Sequence, residues 1–167
     1  MRSSLNDLPS GSAIYIDSNI FIYEVTNHPK YTAASSSFLD RVESGEVVGV
    51  ASVLGITEEV HKLSIIELSS KLKKKPQSIV SLIKNDPTLL DKLETPFIAA
   101  QNILSMNLEI INLIIPRLID ALELMKSYRL LSHDAIHVAA MKARGISNIA
   151  TNDPDFERVA WLTVWKP

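Results

Sequence analysis

The sequence predicts an α/β fold: an α/β/α sandwich whose central, mainly parallel sheet has about five strands, with a helical insertion at 71–96. Three observations predict it. Strand-like apolar runs alternate with helix-like stretches along the whole chain. The 167 residues, 46% of them apolar, suffice for one domain (1–167) with a substantial core. No internal repeat or low-complexity tract interrupts the alternation.

Residues 1–12 read as a loose lead-in. AIYID (13–17) is apolar and β-branched, as a buried strand should be. IFIYEV after Asn19 starts a short helix, which His28-Pro29 breaks because the residue before proline avoids helical angles. From Tyr31, Ala34, Phe38 and Val42 recur at helical spacing up to Gly45. EVVGVAS (46–52) is a second strand. Residues 53–72 form a long helix with Val53, Ile56, Val60 and Leu63 on one stripe. The tract 71–96 is lysine-rich and punctuated by Pro76, Pro87 and Pro96, so it reads as an inserted helical arm. Residues 97–106 are helical and LEIINL (108–113) is a third strand. Pro116 suits the first turn of the next helix, where Leu118, Ile119, Leu122 and Met125 should form the buried stripe. Ser132 is the expected N-cap of a helix that closes at Gly145. ISNIAT (146–151) and WLTVW (161–165) are the last strands, the latter with Trp161, Thr163 and Trp165 on one face.

Composition excludes several functions. The absence of cysteine removes disulfides, zinc–thiolate sites and cysteine nucleophiles. No apolar run approaches the ~20 residues of a membrane span. The first residues, MRSSLNDLPSGS, lack the apolar core of a secretory signal, so a cytoplasmic protein is expected. A net charge of −2 gives no general attraction to nucleic acid, so a nucleic-acid enzyme here needs a local basic patch and a metal.

Four acids stand where elements begin or end: Asp17, Glu58, Asp134 and Asp153. Ligands of parallel α/β sheets bind beyond the carboxyl ends of strands, where Asp17 and Asp153 fall. Each has a structural alternative. Asp17 could cap a helix, and Asn152-Asp153-Pro154 is strong turn chemistry. Asp134 could serve the positive end of its helix. Asp155 could replace Asp153, and spacing alone does not choose between Glu58 and Glu59. His133 and His137 have zinc spacing but no matching third ligand, which makes packing or hydrogen bonding near the site the expected role of His137. The lysines at 71–75 read as a solvated helix end.

IYIDSNIFIY, SVLGITEEV, LSHDAIHVAAMKARG and IATNDPDFERV resemble, in order, the four motifs of the PIN-domain family, which includes the VapC toxins and related ribonucleases. The resemblance covers nearly the whole chain. The Ser-to-Glu spacing from Ser52 selects Glu58, and the Thr-x-Asp-x-Asp-Phe pattern selects Asp153. The tract at 71–96 is longer than in a minimal toxin of that family and could lengthen the helical clip over the site. The resemblance implies cleavage of single-stranded RNA with Mg²⁺ or Mn²⁺. Asp17, Asp134 and Asp153 would be ligands, directly or through water, and Glu58 would orient a water or a second metal. Ser18, Asn19 and Thr151 would support them. It also implies a homodimer, with an apolar stripe on 31–42 or 53–68 as its surface, and a possible small antitoxin partner. The alternative readings are a catalytically inert PIN-like binding module and a phosphohydrolase with Asp17 as nucleophile. The second lacks the usual Asp two residues after Asp17.

Overall fold

The apolar runs become six strands in a computed structural model that describes residues 3–167. They are β1 (Ser3–Ser4), β2 (Ala13–Ile16), β3 (Val48–Ser52), β4 (Leu108–Ile111), β5 (Asn148–Ala150) and β6 (Thr163–Lys166). The helices are α1 (Ser18–Val25), α2 (Thr32–Glu43), α3 (Val53–Leu72), α4 (Pro76–Asn85), α5 (Thr95–Ser105), α6 (Ile115–Tyr128) and α7 (Ser132–Arg144). All strand pairs are parallel, in the order β1-β6-β5-β2-β3-β4. The chain builds outward from β2 to β3 and β4, then returns to the other side of β2 for β5 and β6. The strand order therefore reverses between β2 and β5, which is where such sheets open a crevice at their carboxyl ends.

Side-chain alternation along the strands supplies two cores. Tyr15, Val50 and Ile149 join Ala121, Val138 and Met141 from α6 and α7 on one face. Ile14, Ile16 and Ala150 join Ile20, Phe38 and Val42 from α1 and α2 on the other. A Cβ on Gly49 would come within 2.5 Å of both Val42 and Leu108 side chains, so glycine lets α2 lie close to β3.

Several expectations change. The lead-in contributes a sixth strand: β1 pairs Ser3 with Trp165, and Leu5 and Leu8 behind it are buried. Two residues are too few to show strand periodicity. Of the stripe expected to be buried on α6, Leu118, Ile119 and Leu122 face outward, 51%, 58% and 54% exposed, and only Met125 packs against the core. Ala121 and Leu124 make the buried contact instead. Small Ala121 lets α6 approach α7 closely, so the larger residues lie on the opposite side. Ser132 is inside α7, not its N-cap: the amide of Ala135 bonds the Leu131 carbonyl at 3.0 Å, which starts the helix one residue earlier. Trp161 and Trp165 pack on different cores, because β6 begins only at Thr163 and Trp161 lies in the turn before it. On α2, Phe38, Leu39 and Val42 are buried, so 31–42 offers no exposed apolar stripe; on α3, Val53 and Ile66 are exposed thirteen residues apart.

The 71–96 tract forms α4 and a 3₁₀ turn (Pro87–Lys92), whose Ile79, Leu89 and Leu93 cover Leu68 of α3. Lys71 binds Glu67 at 2.7 Å and the Lys92 carbonyl, so it ties the tract to α3. Among the described residues no helix is long and apolar enough to cross a membrane.

Candidate active site

β2 and β5 are neighbours, so the residues that follow them come together. Asp17 is the first residue after β2, and its backbone amide still bonds the Ala150 carbonyl of β5 at 3.1 Å. Its side chain makes no capping bond to α1, although it occupies the N-cap position. Thr151, just past β5, donates to Asp17 Oδ2 at 2.6 Å, and Asn19 donates to the same oxygen. Ser18 donates to Asp17 Oδ1 at 3.3 Å. The carboxylate is therefore aimed by polar neighbours along the crevice rather than spent on its helix.

Asp153 does perform the expected turn chemistry. One oxygen accepts from the Asp155 amide at 2.8 Å, and its own amide donates to Thr151 Oγ1 at 3.0 Å. Thr151 is thus the shared post between Asp17 and Asp153. Asp155 lines the same cleft, with Arg158 bound to its Oδ1.

Asp134 lies in the first turn of α7. Burial raises its pKa, and the charges of Asp153, Asp17 and Asp155 add to that effect, while His137 opposes it. The three strand-end and loop aspartates are therefore close enough for their charges to act on Asp134.

Glu58 closes the cleft from α3. Ser52 starts that helix by accepting from the Gly55 amide at 3.1 Å. Glu58 Oε1 meets His133 Nδ1 at 2.8 Å and Oε2 meets His137 Nε2 at 3.3 Å. Burial works to raise the Glu58 pKa, but the bond and charge of His137, with Lys62 and His133, bring it below the usual carboxylate range. The other ring nitrogen of His137 is 2.6 Å from the Tyr15 hydroxyl, which is 2.6 Å from Ser52 Oγ. Burial holds that phenol protonated, far above its ordinary range. Glu58 is thus braced through buried side chains to β2 and β3. Glu59 points away: it is fully buried, both its oxygens lack a hydrogen-bond partner among the described residues, and its pKa rises to about 8 through burial and then Glu24.

Asp17, Asn19, Glu58, Lys62, Asp134 and Asp153 line one cleft of about 370 Å³, with residues 131–133 and Asp155. No residue of 71–96 is among that lining. Roughly 20 Å of helix separates the start of that tract from Glu58. Lys62 is a cleft residue that the motif reading missed. Its ammonium donates to Ser18 at 3.0 Å, and its position one turn after Glu58 was the available signal.

Among the described residues no three acidic or histidine side chains converge as a ready-made metal cage. The donor set still fits a hard cation. The aspartates supply oxygen only, burial and the neighbouring carboxylates raise the affinity of Asp134 for positive charge, and Mg²⁺ keeps several waters while using one or two carboxylates. Glu58, with both oxygens on histidines, is the acid least available as a direct ligand.

Comparison with known proteins agrees in extent. A family model described as PIN domain matches residues 14–162. Ribonuclease VapC2 of Methanocaldococcus jannaschii is 27% identical over 154 residues, covering 90% of this chain and 91% of that protein. The solved structure of VapBC2 from Rickettsia felis bound to a promoter DNA fragment is similar at 19% identity and TM-score 0.58, covering 92% of this chain and 98% of the other. The sarcin-ricin loop cleaving toxin VapC20 of Mycobacterium tuberculosis is similar at 15% identity and TM-score 0.59, covering 90% and 98%. At these identities the solved structures establish the shared fold.

Proposed function

The chain belongs to the PIN-domain family, and from that premise we propose that it is a divalent-metal-dependent endoribonuclease acting on single-stranded RNA. The observation that carries the reading is the meeting of Asp17, Asp153 and Asp134 in one cleft at the point where strand order reverses. The name of the Methanocaldococcus relative supports RNA as the substrate class.

Asp17, Asp134 and Asp153 would hold Mg²⁺ or Mn²⁺, directly or through water. A cation bound there would make water more nucleophilic and offset charge on the scissile phosphate. The chain's own residues do the positioning. Thr151 and Asn19 fix one Asp17 oxygen, and Ser18 steadies the other. Glu58, held ionised by His133 and His137, accepts a proton or orients a water from the α3 side. Lys62 supplies a cation to the cleft, and its ammonium would turn from Ser18 to a phosphate oxygen.

The test is Asp17→Asn. It should abolish Mg²⁺- or Mn²⁺-dependent RNA cleavage while leaving the fold intact by circular dichroism. Cleavage at the unsubstituted rate would sink the assignment. Because no three ligands are preset, an inert binding module is the second reading. Calorimetry with Mn²⁺ separates the two, since an inert pocket gives no binding heat at millimolar metal.

By extension from the solved VapBC2 assembly and from a toxin–antitoxin complex of Klebsiella pneumoniae we also propose a small antitoxin partner for this chain, and from the family resemblance a homodimer. The outward face of α6, with Ile115 77% exposed beside Leu118, Ile119 and Leu122, supports a protein contact. Sedimentation at high concentration checks the dimer, and a monomer counts against it.

A further inference from the structure

A second cavity of about 460 Å³ adjoins the segment that carries Asp153. Asn152 and Pro154 line it, whereas Asp153 and Asp155 line the acidic cleft. Asp153 has extended backbone, which sends neighbouring side chains to opposite sides. One thin wall therefore has acids on one side and a different chemistry on the other.

That chemistry is aromatic and basic. Among the described residues no aspartate or glutamate side chain lines the second cavity, and Lys30, Tyr31 and Lys166 do. Tyr31 stacks on His28 with ring centres 4.7 Å apart and planes 20° apart, and Tyr23 lies 4.7 Å from Tyr31. Asn152 ties this group to the wall, since it donates to the Tyr23 hydroxyl at 3.2 Å and also bonds the Tyr31 hydroxyl. Lys30 is exposed and sits 4.9 Å over the Tyr31 ring. Lys166 is already paired with Glu157, which leaves Lys30 as the more available cation.

Sequence-tolerant single-strand binding combines aromatic platforms for bases with cations for the backbone. We propose that this cavity is a nucleotide subsite: Tyr31 stacks the base of a nucleotide flanking the scissile phosphate, and Lys30 turns off the ring to meet its phosphate. An RNA strand crossing the 152–155 wall would then place its reacting phosphate among the acids and its neighbour on the platform. The inference rests on the ribonuclease reading for its substrate, and its test is independent of cleavage.

The probe is a fluorescent single-stranded RNA oligonucleotide titrated by anisotropy into the full chain carrying Asp17→Asn. Adding Tyr31→Ala should weaken binding about five-fold or more, the range of one lost base stack. Tyr31→Phe should retain binding, because it keeps the ring and removes only the hydroxyl. In the unsubstituted chain, Tyr31→Ala should raise KM for RNA and leave kcat unchanged. A folded Tyr31→Ala that binds RNA like its parent overturns the subsite. So does an equal loss in Tyr31→Phe, which would trace the effect to the Asn152 bond. If Tyr31→Ala unfolds, Tyr31→Leu makes the same comparison with apolar bulk retained. An unsubstituted chain that cleaves no RNA removes the ribonuclease reading, and the titration still decides the subsite.

Discussion

Glu58 and Glu59 are neighbours on α3 and live in opposite surroundings. Glu58 faces the cleft, where His133 and His137 hold it ionised. Glu59 faces the packing layer beside α1, fully buried, with no hydrogen-bond partner among the described residues and Glu24 as its electrostatic neighbour. Adjacent helix positions point about 100° apart, so one residue of sequence separates a charged cleft acid from a neutral core acid. Burial alone does not set the charge of a carboxylate here: the supply of partners for its charged form does.

Glu59 gives the largest expected effect. Its pKa lies at about 8 in the folded chain against an ordinary 4.5. An acid with a raised folded pKa holds its proton in the folded state after the unfolded chain has released it. Stability is therefore greatest below about pH 4.5 as far as this group decides, and it falls as pH rises toward 8. The loss across that window is roughly 3–5 kcal/mol. Denaturant unfolding at pH 5 and pH 8 measures it. Glu59→Gln should flatten most of the slope, leaving a remainder from Glu24, whose pKa burial also raises. An unchanged slope in Glu59→Gln would show that the carboxyl finds partners and that the contrast with Glu58 fails.

The same contrast explains what could be read in advance. Asp17 and Asp153 are legible because one follows an apolar run directly and the other comes two polar residues after one, and adjacent parallel strands bring such ends together. Glu58 is legible only through the family resemblance, whose Ser-to-Glu spacing counts from Ser52, the residue that caps α3. The rest depends on contacts distant in sequence. Tyr15 and His137 meet across 122 residues, and no local pattern announces that pair. The α6 stripe misleads because a hydrophobic period shows that a helix has an apolar side, not which side the core takes. Ala121 and Leu124 take that role and are less conspicuous than Leu118, Ile119 and Leu122. β1 is two residues long and exists only through its pairing with β6.

Glu58→Gln probes the other side of the comparison and comes next in size. It keeps the side-chain volume and removes the charge that His133 and His137 address. Cleavage should fall by roughly 10–100-fold, the usual cost of losing an outer support of a metal site. The stability slope between pH 5 and pH 8 should stay as in the parent. A lowered folded pKa stabilises above the unfolded value and is lost only as pH falls below it, so the Glu58 contribution disappears on the acid side of that window. Cleavage rates and denaturant curves on one preparation check both halves. Full activity in Glu58→Gln would make Glu58 a packing residue like its neighbour.

The smallest effect distinguishes two roles for Lys62, the cation one turn beyond Glu58. Its ammonium reaches Ser18, next to Asp17, and its side chain is exposed. If it meets RNA phosphate, Lys62→Met should weaken RNA binding by about 1 kcal/mol or less. The dependence of log affinity on log salt should then shrink by about 0.7, the value for one single-strand phosphate contact. If it serves to offset the acids, the same substitution should leave the salt slope intact and strengthen Mn²⁺ binding, because the cleft loses its competing charge. The contact with Ser18 favours the first outcome. Ser18 is a neutral hydroxyl, so moving to a phosphate exchanges an ammonium–hydroxyl bond for one in which both partners are charged. An unchanged salt slope together with tighter Mn²⁺ binding would overturn that assignment and make Lys62 the counter-ion of the acid side of α3, the charge that Glu59 lacks.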